Sequence, residues 1–354
     1  MREKSLQKLA ARAGRRSVQP PITRDDSVRY NWAMSRIPSL ILDTDIDGDC
    51  DDASALAVLH ALADLGECNI LGVVVSAPPV EAGVGAVRAI NHACGRPDLP
   101  VGAPSIMPDD PSWESYREHM RLLSEGLIEG FQPFNSILME QSGLPQRPAT
   151  EAVTLYRSLL ANAPDSSVTI CVIGTLNSLA QLLDSKADEI SPLSGYELIE
   201  SKVVKLVSMA VTNFPWGYEA FNWRMHFESA ENVLHNWPTP IVVSSRGDDV
   251  LTGSKFCELA PPQHPVRVAY EKFLAGQTNN RPSWDQIAVV TAVRPEESGL
   301  YSLSKPHSIK LDVANKRHDW HEYETGFPRF YTQSQVSDSD LVKILDELIL
   351  EVIK

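Results

Sequence analysis

Residues 39–56 read Ser39-Leu40-Ile41-Leu42-Asp43-Thr44-Asp45-Ile46-Asp47-Gly48-Asp49-Cys50-Asp51-Asp52-Ala53-Ser54-Ala55-Leu56. The apolar run at Ser39–Leu42 predicts a short buried strand. From Ala53 to Leu65 apolar residues recur at helical spacing, with Asp51 and Asp52 at the helix start. Between strand and helix, six Asp fall within ten residues, 43–52. Like charges this close raise one another's pKa values and resist joint ionisation. A bound cation removes that penalty, whereas capping a helix needs one Asp and not six.

Downstream the pattern repeats. Asn69 to Ser76 reads as a second strand and Val84 to Cys94 as a second helix. Helix Thr150–Ala161, strand Val168–Ile173, helix Leu176–Asp184 and strand Val203–Met209 follow. Helix Glu228–Asn236 and strand Pro240–Ser244 continue the series. Alternation of this kind predicts an α/β fold, an open and mainly parallel sheet flanked by helices. Open sheets of this class place ligands beyond the carboxyl ends of their strands, where the acidic loop lies. Residues 105–148, rich in Pro, Ser and Gln, break the rhythm and read as an insertion with short helices. Helices dominate 255–295. Residues 300–332 read as short antiparallel strands, a small C-terminal extension, and Asp338–Ile353 as a closing amphipathic helix. Residues 38–354 are taken as one large domain.

Charge and composition exclude several classes. Of the 354 residues, 43% are hydrophobic and 22% charged, as in ordinary globular chains. No apolar run reaches the ~18 residues of a membrane span. Residues 1–37 hold nine Lys/Arg against three Asp/Glu, so a net charge of −14 leaves the body near −20. A body this acidic is a poor partner for nucleic acid. The basic tail lacks the apolar core of a signal peptide. The five cysteines are odd in number and show no C-x-x-C pair. That fits reduced thiols in a cytoplasmic protein better than a disulfide framework.

Three chemistries compete for the acidic loop. In a calcium loop of the EF-hand type, Asp43, Asp45, Asp47 and Gly48 fit positions 1, 3, 5 and 6. Position 12 would be Ser54, where a bidentate Glu is required, and the preceding flank is a strand. A second reading is a magnesium phosphatase, because strand plus Asp43-Thr44-Asp45 resembles the haloacid dehalogenase family. That resemblance makes Asp43 the nucleophile, Asp45 the acid/base and Gly247-Asp248-Asp249 the late acidic pair. It leaves Asp51-Asp52-Ala53 unexplained.

The third reading accounts for the whole segment. Asp43-x-Asp45, a Gly-containing turn and Asp51-Asp52-Ala53-x-Ala55-Leu56 resemble the signature of the inosine-uridine preferring nucleoside hydrolases, calcium-dependent N-ribosyl hydrolases. The turn is two residues longer than in the best-known members. Val172-Ile173-Gly174-Thr175-Leu176-Asn177-Ser178-Leu179-Ala180 is similar to the family's strand and G-P-L-T-N-L-A. Glu219-Ala220-Phe221-Asn222 is similar to its E-F-N, with Glu219 displaced by one residue. Arg281-Pro282-Ser283-Trp284-Asp285-Gln286-Ile287-Ala288 is similar to its late Asp-bearing helix start.

The resemblance implies a Rossmann-related fold and hydrolysis of a ribonucleoside to base and ribose. It implies a Ca2+ ion held by Asp45, Asp52, the Asn177 carbonyl and Asp285, with Asp45 also taking the proton of the attacking water. Asp51, Asn222 and Glu219 would bind ribose hydroxyls, Asn222 by donating and accepting at once. Asp43 would buttress the loop. Relatives form dimers and tetramers, so a homo-oligomer is implied. Three positions depart from the pattern. Trp284 replaces a His that is the leaving-group acid in some members, and fits stacking on a base. His226 stands in place of an Asp and reads as structural. Ser76-Ala77-Pro78-Pro79 stands where many members have an Asn. Trp216, Tyr218 and Trp223 are further stacking candidates, and His318, His321 and Glu322 form a metal pair on paper. A relative that binds a nucleoside or ribose without cleaving it is the remaining alternative.

Overall fold

Strand β1 (Ser39–Thr44) lies in the middle of a twelve-stranded sheet, its side chains from Leu40 onward buried. The computed structural model describes residues 37–106, 110–210, 216–218, 221–276 and 280–354. The chain divides into Met1–Trp32, which lies outside the described residues, and Ala33–Lys354, to which all the described residues belong. The basic tail therefore lies outside them up to residue 36.

In chain order the remaining strands are β2 (Asn69–Val75), β3 (Val101–Ala103), β4 (Thr150–Glu151), β5 (Val168–Val172), β6 (Val203–Met209) and β7 (Trp216–Tyr218). Then come β8 (Ile241–Ser244), β9 (Leu251–Thr252), β10 (Arg281–Pro282), β11 (Tyr301–Leu303), β12 (His307–Asp312), β13 (Arg317–Glu322) and β14 (Arg329–Ser334). The sheet runs β4-β3-β2-β1-β5-β6-β8-β14-β12-β13-β7, with β11 paired to β14. Strands β4 through β14 of that path are parallel, and the pairs of β12, β13 and β7 are antiparallel. The antiparallel C-terminal strands thus continue the main sheet, because β14 docks parallel on β8. Strand order reverses between β1 and β5, with β2 to one side of β1 and β5 to the other. The crevice at that reversal, beyond the carboxyl ends, is where such sheets bind ligands.

Two helices that begin at this crevice are buried nearly all round. Helix α1 (Asp51–Asp64) buries every residue from Asp51 to Leu62. Such a helix shows no polar stripe because neighbours cover all its faces. The remaining helices are α2 (Val80–Ala93), α3 (Glu114–Leu122), α4 (Phe134–Gln141), α5 (Ala152–Asn162), α6 (Asn177–Asp184), α7 (Gly195–Lys202), α8 (Asn222–Met225), α9 (Phe227–Asn236), α10 (Ser254–Leu259), α11 (Pro265–Phe273), α12 (Trp284–Val293) and α13 (Asp338–Glu351). Helix α12 is the second, buried from Asp285 to Val293. Gln286 donates to the Ser54 hydroxyl and to the Tyr270 hydroxyl (3.2 Å), pinning α12 to α1 and α11.

Two differences from the sequence expectation have local causes. Helix α2 begins at Val80, four residues earlier than read, because Gly83 and Gly85 mask its apolar spacing. Those glycines mark contacts: a Cβ on Gly85 would lie 2.3 Å from Met139 Cγ of α4, and one on Gly83 2.7 Å from Val75 Cγ1. Helix α7 has no place in the sequence expectation. Its signal is the capping box of Ser194 and Glu197, not a hydrophobic period.

Candidate active site

The acidic loop leaves β1 at the strand-order reversal, and its six Asp have distinct surroundings. The carboxylate of Asp43 accepts the Tyr156 hydroxyl at 2.6 Å. Burial pushes its pKa up to about 7, against the pull of Tyr156 and Ser76. Asp47 accepts the Phe134 and Asn135 N–H groups at 2.9 and 3.2 Å. Asp49 takes Arg281 Nε on both oxygens at 2.9 Å. The guanidinium of Arg281 also lies 5.4 Å from the Phe273 ring and 5.3 Å from the Trp284 ring. Three of the six are therefore committed to structure.

Asp45, Asp51 and Asp52 remain, and the fold adds Asp285. One carboxylate oxygen each from Asp51, Asp52 and Asp285 lies within 4.8 Å of the others. All are buried. Burial raises the pKa of Asp45 to about 8, and repulsion from Asp43 and Asp49 adds to it. Burial raises Asp51, Asp52 and Asp285 well above the carboxylate range, and repulsion from neighbouring acids, Asp45 and Asp49 among them in every case, raises them further. The cation acting on Asp51 is Arg281, itself committed to Asp49. Asp45 Oδ2 is buried with no hydrogen-bond partner among the described residues. Hard carboxylate oxygens without Cys or His suit calcium, magnesium or manganese, not zinc. The cluster and this orphaned oxygen fit such a cation.

Local structure explains why the acids can sit together. Asp51 and Asp52 occupy the first turn of α1, and Asp285 the first turn of α12. Helix N-termini favour negative charge. The N–H of Asp285 donates to Asp51 at 3.2 Å, so one helix start caps the other carboxylate. The Thr44 hydroxyl donates to Asp52. From the bend that follows β5, Gly174 packs against the Asp45 backbone; a Cβ there would lie 2.5 Å from Asp45 N and 2.7 Å from Ser76 Oγ. Gly174→Ala is expected to destabilise the fold by about 1–3 kcal/mol. It should also displace Asp45 and lower turnover; the urea midpoint and the rate are the checks.

The other sequence candidates are placed as follows. Asn177 opens α6 and is buried, its side-chain oxygen accepting the Thr175 hydroxyl at 2.7 Å. Asn222 opens α8 and is buried. Its Nδ2 donates to Ile173 O (2.7 Å) and Met209 O (3.2 Å), tying together the ends of β5 and β6. Both amide protons are used within the fold, which leaves Oδ1 as the atom through which Asn222 could accept from a ligand. Glu219 lies outside the described residues. Trp284 is half-buried beside Asp285, its ring under Arg281 and close to Gly247. Trp223 is fully buried and donates to Ser208 Oγ at 3.0 Å, which makes it core. Trp216 and Tyr218 are exposed beneath Arg317 on the edge strand.

Two paper sites do not assemble. Asp248 and Asp249 are exposed and stand outside the carboxylate cluster, so the phosphatase's late acidic pair is absent from it. His318 is buried, accepting the Trp320 indole N–H at 3.2 Å, while His321 is exposed three residues along β13. They share no ion. His226 packs against Trp113, ring centroids 4.9 Å apart. The sequence reading missed Tyr116, Asn135 and Tyr156, all fully buried, and Arg281. Arg281 had a signal: an isolated base beside the late Asp motif, opposite a surplus of acid.

No family model and no curated protein matches the chain. Solved structures do. The inosine-uridine preferring nucleoside hydrolase from Bacillus anthracis superposes with a TM-score of 0.63 at 16% identity, over 90% of this chain and 99% of that one. The type III effector protein XopQ, complexed with adenosine diphosphate ribose, gives 0.67 at 15% identity, over 90% and 95%. The purine-preferring ribonucleoside hydrolase from Gardnerella vaginalis gives 0.61 at 16% identity, over 89% and 99%. With its mainly parallel twelve-stranded sheet and the acidic loop at the reversal of strand order, the chain has the fold of the nucleoside hydrolases.

Proposed function

We propose that this protein hydrolyses the N-glycosidic bond of a ribonucleoside, releasing base and ribose, with calcium as cofactor. The observation that supports the reading is the meeting of Asp51, Asp52 and Asp285 in a buried carboxylate cluster at the crevice of a nucleoside hydrolase fold, with the buried Asp45 near enough to raise the pKa of Asp52 and Asp285. Asp45, Asp52 and Asp285 would hold the ion, with the Asn177 carbonyl. Bound there, calcium supplies positive charge that keeps the carboxylates ionised and makes water more acidic.

The chain's own residues do the rest. Asp45 accepts the proton of the attacking water through Oδ2. Asp51 accepts from a ribose hydroxyl, and Asn222 Oδ1 accepts from another. Fixing ribose and water together converts an encounter into a positioned reaction. Positive charge develops on the sugar as the base departs. The ionised carboxylates stabilise that charge where it forms. Trp284, held by Arg281, offers a face for stacking on the base.

A second reading, binding of a ribosyl ligand without cleavage, is favoured by one observation. Trp284 stands where some family members have an acid His, and an indole N–H is far too weak an acid to protonate a leaving base. Reducing-sugar release from purine and pyrimidine nucleosides in calcium separates the two. Release that chelation abolishes supports the hydrolase. Binding of nucleoside or ADP-ribose with no sugar released overturns it in favour of the second reading.

A further inference from the structure

The metal-side turn Asp45–Gly48 is gripped at successive residues by the insertion. The turn closes through Gly48 N–H to Asp45 O at 3.0 Å. The Tyr116 hydroxyl of α3 donates to that same carbonyl at 3.0 Å. Asn135 Nδ2 of α4 donates to Ile46 O at 2.7 Å. Asp47 in return accepts the first N–H groups of α4, from Phe134 and Asn135. Tyr116, Phe134, Asn135 and Asp47 are all buried. Asp47 sits at φ +94, a conformation a non-glycine residue rarely adopts and keeps only when its surroundings enforce it. The insertion is itself seated on the core through Met139 on Gly85.

This matters because Asp45 differs from its companions. Asp51, Asp52 and Asp285 are fixed by helices, whereas Asp45 stands in a turn among like charges. Something must hold that turn in place: Thr44 accepts the Ile46 N–H at 3.2 Å, and residues 110–141 supply the side-chain donors to the Asp45 and Ile46 carbonyls. We propose that Tyr116, Asn135 and Asp47 are positioning residues that aim the Asp45 carboxylate at the ion, so that metal binding and the seating of the insertion are one linked equilibrium. The inference rests on the reading of Asp45 as a metal ligand. Linkage is reciprocal: whatever loosens the insertion weakens the ion by the factor by which the ion tightens the insertion.

The test uses the full chain and calcium itself. Tyr116→Phe removes one hydroxyl without changing packing, and should weaken calcium binding about 3–10-fold by calorimetry. Asp47→Ala removes the cap and should cost about 3–30-fold, while Asp47→Asn, which keeps an acceptor, restores most of it. Calcium should slow hydrogen exchange in α3 and α4 of the wild type. In Tyr116→Phe, kcat should fall with KM unchanged. A purely structural role would lower the melting temperature and leave calcium affinity and kcat alone. Unchanged calcium affinity in Tyr116→Phe, or exchange in α3 and α4 indifferent to calcium, overturns the proposal. Calcium linkage in a protein that cleaves no nucleoside upholds it and overturns the hydrolase reading. Nucleoside cleavage with no such linkage does the opposite.

Discussion

Replacing Asp45 by Asn is expected to lower nucleoside hydrolysis by at least about 10³-fold while the protein stays folded. Removing a positioned general base alone typically costs 10²–10⁴-fold. Asp45 would also be an anionic ligand of the ion, so the variant loses a second contribution. The fold should tolerate the change. Asn keeps the shape, and the lost charge is one whose ionisation burial and the Asp43 and Asp49 carboxylates already oppose. Sugar release by both proteins, beside their circular dichroism, is the measurement. Asp43→Asn is the internal control, because Asp43 is engaged by Tyr156. Its turnover should fall far less. Equal losses at both positions would remove the special role of Asp45, and wild-type rates in Asp45→Asn would end it.

Much of this site was legible before any coordinates. Six Asp in ten residues between a buried strand and a helix point to a cation site, and that expectation needs only charge and spacing. Asp285 was legible only through its resemblance to a helix-start motif; nothing local says that α12 points at α1. The division of labour among the six was not legible. Asp43, Asp47 and Asp49 look like Asp45 in sequence, yet they are held by Tyr156, by α4 and by Arg281. Their partners lie 87 to 232 residues away in the chain, and no local pattern encodes a contact at that range. The insertion is the clearest case. Its Pro, Ser and Gln content reads only as an insertion with short helices, while Tyr116 and Asn135 are fully buried against the loop. The edge of the sheet was likewise hidden, because β14 joins β8 across most of the C-terminal quarter of the chain.

Without calcium, stability should fall as pH rises from 5 to 8, and calcium should restore it most strongly at the upper end. The sign follows from the direction of the shifts. Burial holds Asp43 at about 7 and Asp45 at about 8 in the folded protein, against 3.8 for a free Asp. Between those values the folded state binds protons that the unfolded chain has released. Each such group contributes stability that is complete below the unfolded value and is lost as pH climbs through the folded one. The slope is about 1.4 kcal/mol per pH unit per proton. One buried Asp therefore contributes roughly 3 kcal/mol of loss between pH 5 and 7. The other clustered acids shift the same way but not additively, since each ionisation hinders the next. Calcium reverses the balance by favouring the ionised carboxylates and displacing their protons. At a free concentration about 1,000 times its Kd, it should add about 4 kcal/mol. In a domain of this size that is a rise of roughly 6 °C in melting temperature. At pH 5 protons compete for the same oxygens, and the rise should shrink to a small part of that. Melting curves in chelator and in calcium, taken at half-unit steps from pH 5 to 8, measure both effects. A metal-free melting temperature that climbs across this window would reverse the sign. A calcium shift independent of pH would place the ion away from Asp45, Asp51, Asp52 and Asp285.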